Sequence, residues 1–330
     1  MILDGKLSRS FEIALSELES GGVVAIPTET VYGLAADIRS SIGINKIFAL
    51  KNRPAFDPLI VHVADFASVP LVAREFRPLA QKLADAFWPG PLTMVLPRRN
   101  DLNPMITSGL DTVAIRMPAK EITRELIRKL GAPVAAPSAN RFGRTSPTSA
   151  IHVENEFCDH ASALVVLDDG PCAVGIESTV ITFESNDSKQ PAGRTDEKIL
   201  ILRPGAVTAE QLARFAPVER VQNSVRSPGH LRHHYMPAIP LVILPNACSP
   251  SRSQYELIRM KLKKNVLHPG WMSLPDDPVM AARLLYANMR TAANQPDVNC
   301  LFLPFPLQER RSDLWTGISD RIEKAATIII

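Results

Sequence analysis

The chain of 330 residues is poorly supplied for a metal or redox centre. Its four cysteines, Cys158, Cys172, Cys248 and Cys300, lie far apart with no CxxC pair, which excludes zinc-ribbon spacing and leaves no disulfide framework. A reducing cytoplasm is the simplest compartment for such a chain. Net charge is only +3, so bulk charge does not call for nucleic acid, and any basic site has to come from local clustering. No apolar run approaches the roughly 18 residues needed to cross a bilayer. The start, "MILDGKLSRS", has no apolar segment behind a basic beginning, so neither a membrane span nor a secretory signal is expected. Also missing are GxxxxGK[ST], a strand followed by GxGxxG, HExxH and GxSxG. A nucleotide held by this chain has to use a less familiar basic site.

What is present suffices for a buried core: 45% of residues are hydrophobic and 22% charged, and the length suggests about two domains. Phe11, Ala14, Leu15 and Leu18 repeat at helical spacing, with Ser8 or Ser10 as the expected cap and Gly21-Gly22 as the stop. Helical stretches then alternate with the short runs "VVAIP", "PLIVHV", "LTMVLP", "TVAIRMP", "PVAAPSA", "LVVLDDG", "STVITF" and "ILILRPG". This predicts an α/β or α+β unit with a sizeable mixed sheet over 1–205. From 206 to 238 one helix ("TAEQLARF") precedes a polar, proline-punctuated, aperiodic stretch that reads as a linker. Alternation resumes over 239–330 ("PLVILP", a helix through Tyr255–Leu262, "NVLHP", a helix over Pro278–Ala293, "VNCLFLPF"), predicting a small doubly wound domain. The final "ATIII" is expected to finish a strand.

Several segments place polar residues at strand ends. In "GGVVAIPTETVYGLAADI" the apolar run stops at Thr28, Glu29, Thr30 and Tyr32, either as a capped turn or as the rim of a pocket for a small polar ligand. In "LKNRPAFDPL", Lys51 and Arg53 lie two apart; on an extended segment they share one face, an arrangement a polyphosphate would favour, though a solvated loop would look the same. His62 stands among apolar neighbours, as a satisfied core histidine or a ligand contact. In "DTVAIRMP", Thr112, Ala114 and Arg116 share one strand face, and Arg116 needs an anion, from a ligand or from a structural salt bridge. "AAPSANRFGRTSPTSA" surrounds Ser138, Asn140, Ser146 and Thr148 with small residues, and its "SPTSA" also reads as a helix N-cap. "GIESTVI" with Ser178 and "LRPG" with Arg203 repeat the pattern. The stretch "SPGHLRHHYMP" holds His230, His233, His234 and Tyr235; with no Cys or acidic cluster beside them, a lid over a pocket fits better than zinc.

Together, "PTETVYGL", "KNRP…PLIVHV", "WPGPLT", "DTVAIRMP", "APSAN…SPT", "GIESTV", "LRPG" and "SPG…HY.P" resemble the threonylcarbamoyl-AMP synthase family in its two-domain form with a YrdC-like domain. The resemblance runs in order through about the first 240 residues. It implies a YrdC-like twisted mixed sheet with helices and a central cavity, followed by a small Rossmann-like C-terminal domain. It also implies a reaction in which L-threonine, bicarbonate (or CO2) and ATP, with Mg2+, give threonylcarbamoyl-AMP and pyrophosphate, the product passing to the machinery that threonylcarbamoylates the adenosine next to the anticodon in tRNA.

By motif, the resemblance places Thr28, Thr30, Tyr32, His62, Arg116 and Ser178 around threonine. It places Lys51, Arg53, Asp57, Thr112, Ser138, Asn140, Ser146 and Arg203 around ATP, with His234 and Tyr235 closing over the nucleotide. No protein nucleophile and no protein metal ligand is implied. Such chemistry suits a site that positions anions and neutralises developing charge. The family's linker usually has Met after "PG", where this chain has His230. Two rivals share the domain: a non-catalytic module holding RNA on a concave basic surface, and hydrogenase-maturation carbamoyltransferases, which resemble longer chains with zinc-finger cysteines absent here.

Overall fold

A computed structural model describes residues 1–160, 164–185, 197–221, 234–244, 249–307 and 313–330. The strands of the larger sheet are β1 (Ile2–Asp4), β2 (Val24–Ile26), β3 (Gly33–Asp37), β4 (Ile60–His62), β5 (Leu92–Pro97), β6 (Thr112–Arg116), β7 (Val134–Ala135), β8 (Val165–Asp168), β9 (Thr179–Ser185), β10 (Glu197–Arg203) and β11 (Val218–Arg220). They lie in the order β1-β8-β2-β3-β7-β4-β6-β5-β9-β10-β11. Parallel and antiparallel neighbours mix: β6 runs parallel to β4 and antiparallel to β5. Around them pack α1 (Ser8–Glu19), α2 (Ser41–Lys51), α3 (Pro78–Phe87), α4 (Pro104–Thr107), α5 (Glu121–Leu130), α6 (Ala150–Glu156) and α7 (Ala209–Leu212).

The second sheet is wholly parallel. Its strands β12 (Leu241–Leu244), β13 (Pro269–Trp271), β14 (Cys300–Pro304) and β15 (Ile328–Ile329) lie in the order β13-β14-β12-β15. Helices α8 (Arg252–Leu262), α9 (Pro278–Ala293) and α10 (Leu314–Ala325) connect them. This is the mixed α/β architecture expected, with a Rossmann-like second unit.

Binary patterning explains the core. Val113 and Ile115 of β6 enter the main cluster with Val61, Met94 and Ile181, while Ala114 on the opposite face meets Ile60, Val95 and Val180. Helix α1 buries Phe11, Ala14 and Leu18 and ends where Gly21 takes φ +74°. Neither expected serine caps it: Leu7 occupies that position, and Ser10 is buried within the first turn. Ser149 stands at the N-cap of α6, again without a side-chain hydrogen bond.

Other differences are local. The short strands β1 and β3 carry no strong alternation in sequence. Part of the stretch read as linker, Val218–Arg220, pairs with β10, because its aperiodic sequence hides a three-residue edge. The "TAEQLARF" helix shrinks to Ala209–Leu212, and the strand expected at "NVLHP" sits later, at Pro269–Trp271.

Candidate functional site

Strands β4 and β6 end side by side, with His62 paired in register to Arg116. The turn after β2, the loop after β7 and the junctions at β9 and β10 converge on the same end. They enclose a hollow of about 550 Å³, open mouth included, lined by Thr28, Thr30, Arg53, His62, Arg116, Ser138, Ser178, Arg203, His234 and Tyr235 among others.

The hydroxyl of Thr28 is committed to the turn: it accepts from the amides of Thr30 (3.1 Å) and Val31 (3.2 Å) and donates to the Val31 carbonyl at 2.6 Å. Thr30 instead presents its hydroxyl to Arg116, accepting from Nη1 at 2.8 Å. Both readings of the stretch therefore hold: it is a hydroxyl-locked turn and the rim of a hollow. Arg116 also donates Nε to the Gly90 carbonyl and pairs through Nη2 with Glu29 at 2.7 Å. Glu29 is fixed in turn by the Ala119 amide at 2.9 Å. The anion that Arg116 requires is supplied by the chain. Burial, and then the Arg116 charge, push His62 from 6.5 down to about 3, so the ring is neutral and its Nδ1 faces the Ile60 carbonyl at 3.4 Å.

The basic corner forms differently from the extended pair expected. Lys51 is the last residue of α2, Asn52 caps the helix in the left-handed region (φ 50°), and Arg53 follows as the chain turns away. Lys51 does not line the hollow. Its Nζ is sunk behind the wall, donating to the carbonyls of Ser138 and Asn140 at 2.5 Å each. Burial, then repulsion from Arg53, lowers its pKa well below the usual lysine value. Asp57 is explained as a counter-ion: it pairs with Arg53 at 2.9 Å behind the wall, while Arg53 also donates to the carbonyls of Asp57 and Pro58.

Arg203, closing β10, donates to the Ser178 carbonyl (3.0 Å) and hydroxyl (3.2 Å). The Ser178 hydroxyl shares a hydrogen bond of 2.7 Å with Thr93. Gly205 of "LRPG" lets the two segments touch, since a Cβ there would come within 2.5 Å of the Glu177 carbonyl and the Thr179 amide.

His234 and Tyr235 arrive from beyond the linker; His230 and His233 lie outside the described residues. The Thr145 amide donates to the Met236 carbonyl (3.0 Å), and the Thr145 hydroxyl to the Tyr235 carbonyl (3.1 Å). Tyr235 takes φ 64°, unusual for a bulky residue, and its ring centroid lies 4.2 Å from that of His234. Burial lowers His234 to about 3, with Arg53, Lys51 and Arg203 adding to the effect against Glu177. Among the described residues, His234 Nδ1, Tyr235 OH, Asn140 Oδ1 and Asp57 Oδ1 are buried with no hydrogen-bond partner. Of these, His234 and Tyr235 line the hollow, where a bound ligand can complete the bonding.

Four further expected positions lie off the lining. Tyr32 packs into the core and donates its hydroxyl to Asp168 and Gly170, both at 2.9 Å. Thr112 begins β6, about 13 Å along the strand from Arg116. Asn140 spends its amide on the Arg141 and Arg144 carbonyls, and Ser146 donates to Glu177 at 2.6 Å.

Sequence reasoning named Glu29 at the turn without giving it a role, and passed over Thr93 and Glu177, each inside a quoted motif, as well as Tyr286 and Arg321, which bond Glu177 from the second domain. No local signal marks the last two: Tyr286 lies on the helix expected over Pro278–Ala293, and Arg321 on α10, where the sequence reading placed no helix. Among the described residues, no group of three or more His, Cys, Asp or Glu side chains could hold a metal ion.

The family described as "Telomere recombination" matches residues 16–205, and "Threonylcarbamoyl-AMP synthase, C-terminal domain" matches 207–327. A threonylcarbamoyl-AMP synthase of Pyrococcus abyssi is 38% identical over 260 residues, covering 76% of this chain and 73% of that one. One from Bacillus subtilis is 39% identical over 250 residues, covering 73% and 68%. The crystal structure of P. abyssi Sua5 complexed with L-threonine superposes with a TM-score of 0.79 at 32% identity, covering 97% and 95%. With both matches laid end to end along it and a solved relative superposing on nearly all of it, the chain belongs to the threonylcarbamoyl-AMP synthase family.

Proposed function

We propose that this chain is an L-threonylcarbamoyladenylate synthase, converting L-threonine, bicarbonate or CO2, and ATP into threonylcarbamoyl-AMP and pyrophosphate. One observation carries the reading: a hydroxyl, imidazole and guanidinium corner (Thr30, His62, Arg116) lines the same hollow as a polycationic corner (Arg53, Arg203, with Lys51 behind). An RNA-holding surface needs the second corner but not the first.

In this reading Arg116 and Thr30 receive the threonine carboxylate, and Ser178 lies between the two substrates. The threonine amine adds to CO2, losing a proton to give a carbamate. A carbamate oxygen then attacks the α-phosphorus of ATP as the bond to the bridging oxygen breaks, and pyrophosphate leaves. His62, at about 3, is too weak a base to take the ammonium proton and serves as a neutral hydrogen-bonding wall. Arg53 and Arg203 offset the charge growing on pyrophosphate.

Mg2+ enters with ATP. The nearby carboxylates Glu29, Asp57 and Glu177 are each engaged by a guanidinium, so none is left open to hold the ion, which would come with ATP and offset the charge of its phosphates. The product is a mixed anhydride, an activated acyl donor suited to a transferase that modifies adenosine in tRNA. No helix among the described residues is long and apolar enough to cross a membrane, and we place the enzyme in the cytoplasm.

The test is pyrophosphate release measured with threonine or bicarbonate omitted in turn. Release that needs both supports the reading. Equal release without threonine overturns it, and salt-dependent RNA binding with no turnover establishes the RNA-holding module instead.

A further inference from the structure

Glu177 stands where the two units meet. Its Oε2 accepts from Arg321 Nε at 2.8 Å and from the Tyr286 hydroxyl at 2.9 Å, while Oε1 accepts from Ser146 at 2.6 Å. Tyr286 comes from α9 and Arg321 from α10, so the second domain grips a carboxylate that lines the nucleotide end of the hollow. Arg321 is fully buried, donates Nη1 to the Pro204 carbonyl at 2.6 Å, and lies 5.3 Å from the Tyr235 ring centroid.

The docking is tight on both sides of Glu177. A Cβ on Gly175 would lie 2.4 Å from the Arg283 Cα on α9, and one on Gly317 of α10 would lie 3.2 Å from the Gly205 Cα. The two helices therefore press backbone against backbone around the wall of the site.

The charges explain why the grip matters. Burial alone would raise the Glu177 carboxyl, but Arg321 and Arg203, with the Ser146 hydroxyl, bring it down to about 2, so it is ionised. An anion beside a triphosphate site repels the ligand unless something neutralises it. Arg321 does so without itself lining the hollow. Without it, the cation left attracting Glu177 is Arg203, which the nucleotide needs.

We propose that Arg321 and Tyr286 are positioning residues for ATP: the second domain holds Glu177 charge-balanced, so that Arg203 stays directed at the phosphates. The inference rests on the function proposed above and assigns the C-terminal domain a part in it.

The experiment uses the full chain, with pyrophosphate release and calorimetric titration by ATP and, separately, by threonine. The variants are Arg321→Met, Tyr286→Phe, Glu177→Gln and the double variant Arg321→Met/Glu177→Gln. Arg321→Met raises the KM for ATP on the order of tenfold or more and leaves that for threonine within about twofold. The double variant, having lost both charges, recovers most of the ATP affinity. Tyr286→Phe shifts ATP the same way by a smaller factor and keeps the side-chain shape, so it decides the matter if Arg321→Met fails to fold. An unchanged ATP KM in Tyr286→Phe and Arg321→Met, equal rises for both substrates, or a double variant no better than Arg321→Met overturns the proposal. A wild-type protein with no threonine-dependent release sinks the functional reading instead, and the ATP titrations alone then judge the positioning role.

Discussion

Arg116 and Glu29 form an ion pair of 2.7 Å with side chains 4% and 10% exposed, and that pair sets the charge of the amino-acid corner. The corner is already neutral before a ligand arrives, which suits a zwitterion better than a bare anion. Arg116→Ala leaves Glu29 buried beside no cation, at a stability cost of about 3–5 kcal/mol. It also removes the guanidinium expected to take the threonine carboxylate. Threonine affinity falls on the order of a hundredfold while ATP affinity changes much less. Arg116→Lys keeps charge but loses the fork that reaches both Thr30 and Glu29, and recovers only part. Calorimetric titration with each substrate checks this; unchanged threonine affinity in Arg116→Ala would show the carboxylate docks elsewhere.

The basic corner gives the converse expectation. Lys51 reaches the Ser138 and Asn140 carbonyls, and Arg53 lines the hollow itself. Arg53→Ala and Lys51→Ala raise the KM for ATP on the order of tenfold or more with little change for threonine. Asp57→Asn has a separate signature: Arg53 loses its buried counter-ion, so thermal stability drops before substrate affinity does.

How far this was legible in the sequence depended on locality. Each strand with a strong apolar run was visible, and the face assignment of Thr112, Ala114 and Arg116 on β6 followed from a period of two. Where on that face a ligand sits did not follow, because Thr112 and Arg116 share the face at opposite ends. Lys51 and Arg53 were picked as a cationic pair on an extended segment, but their geometry rests on a left-handed Asn52, a conformation that Asn tolerates without announcing. Tyr32 looked like a pocket residue among threonines, yet its partner is Asp168, 136 positions away. Glu177 was passed over for the same reason: its meaning comes from Tyr286 and Arg321, and no spacing within "GIESTV" reports a helix more than a hundred residues on.

Two buried imidazoles give stability a pH dependence of definite sign. His62 and His234 both lie near 3 in the folded chain against 6.5 for an exposed histidine. Between those values the unfolded chain binds protons that the folded chain refuses, so stability is fully present above about pH 6.5 and erodes as pH falls towards 3. The slope is about 1.4 kcal/mol per pH unit for each such histidine. Urea unfolding at a series of pH values from 8 to 5 should show the midpoint fall below pH 6.5. His62→Asn should remove one histidine's share of that slope. A flat profile would mean that these rings protonate in place.

Of the two glycines that meet the other unit, Gly175 and Gly317, Gly175 has the tighter contact. Gly175 takes φ +83°, and a Cβ there would meet the Arg283 Cα at 2.4 Å and the Ala282 carbonyl at 2.5 Å. Both are backbone atoms of a helix, which cannot swing aside as a side chain would. Gly131, at the C-cap of α5, supplies the control: φ is +68°, but nothing lies within 4 Å of its Cβ position. Gly131→Ala should therefore cost only the left-handed penalty, about 1 kcal/mol. Gly175→Ala adds the displacement of α9 and should cost about 3 kcal/mol. Because Tyr286 rides on that same helix, the displacement also loosens Glu177, two residues from the substitution. Activity at limiting ATP should then fall in Gly175→Ala and hold in Gly131→Ala, with unfolding midpoints measured on both. Equal losses of stability in the two variants would show that the domains give way to each other at this contact, and that the second domain does not brace the wall of the site.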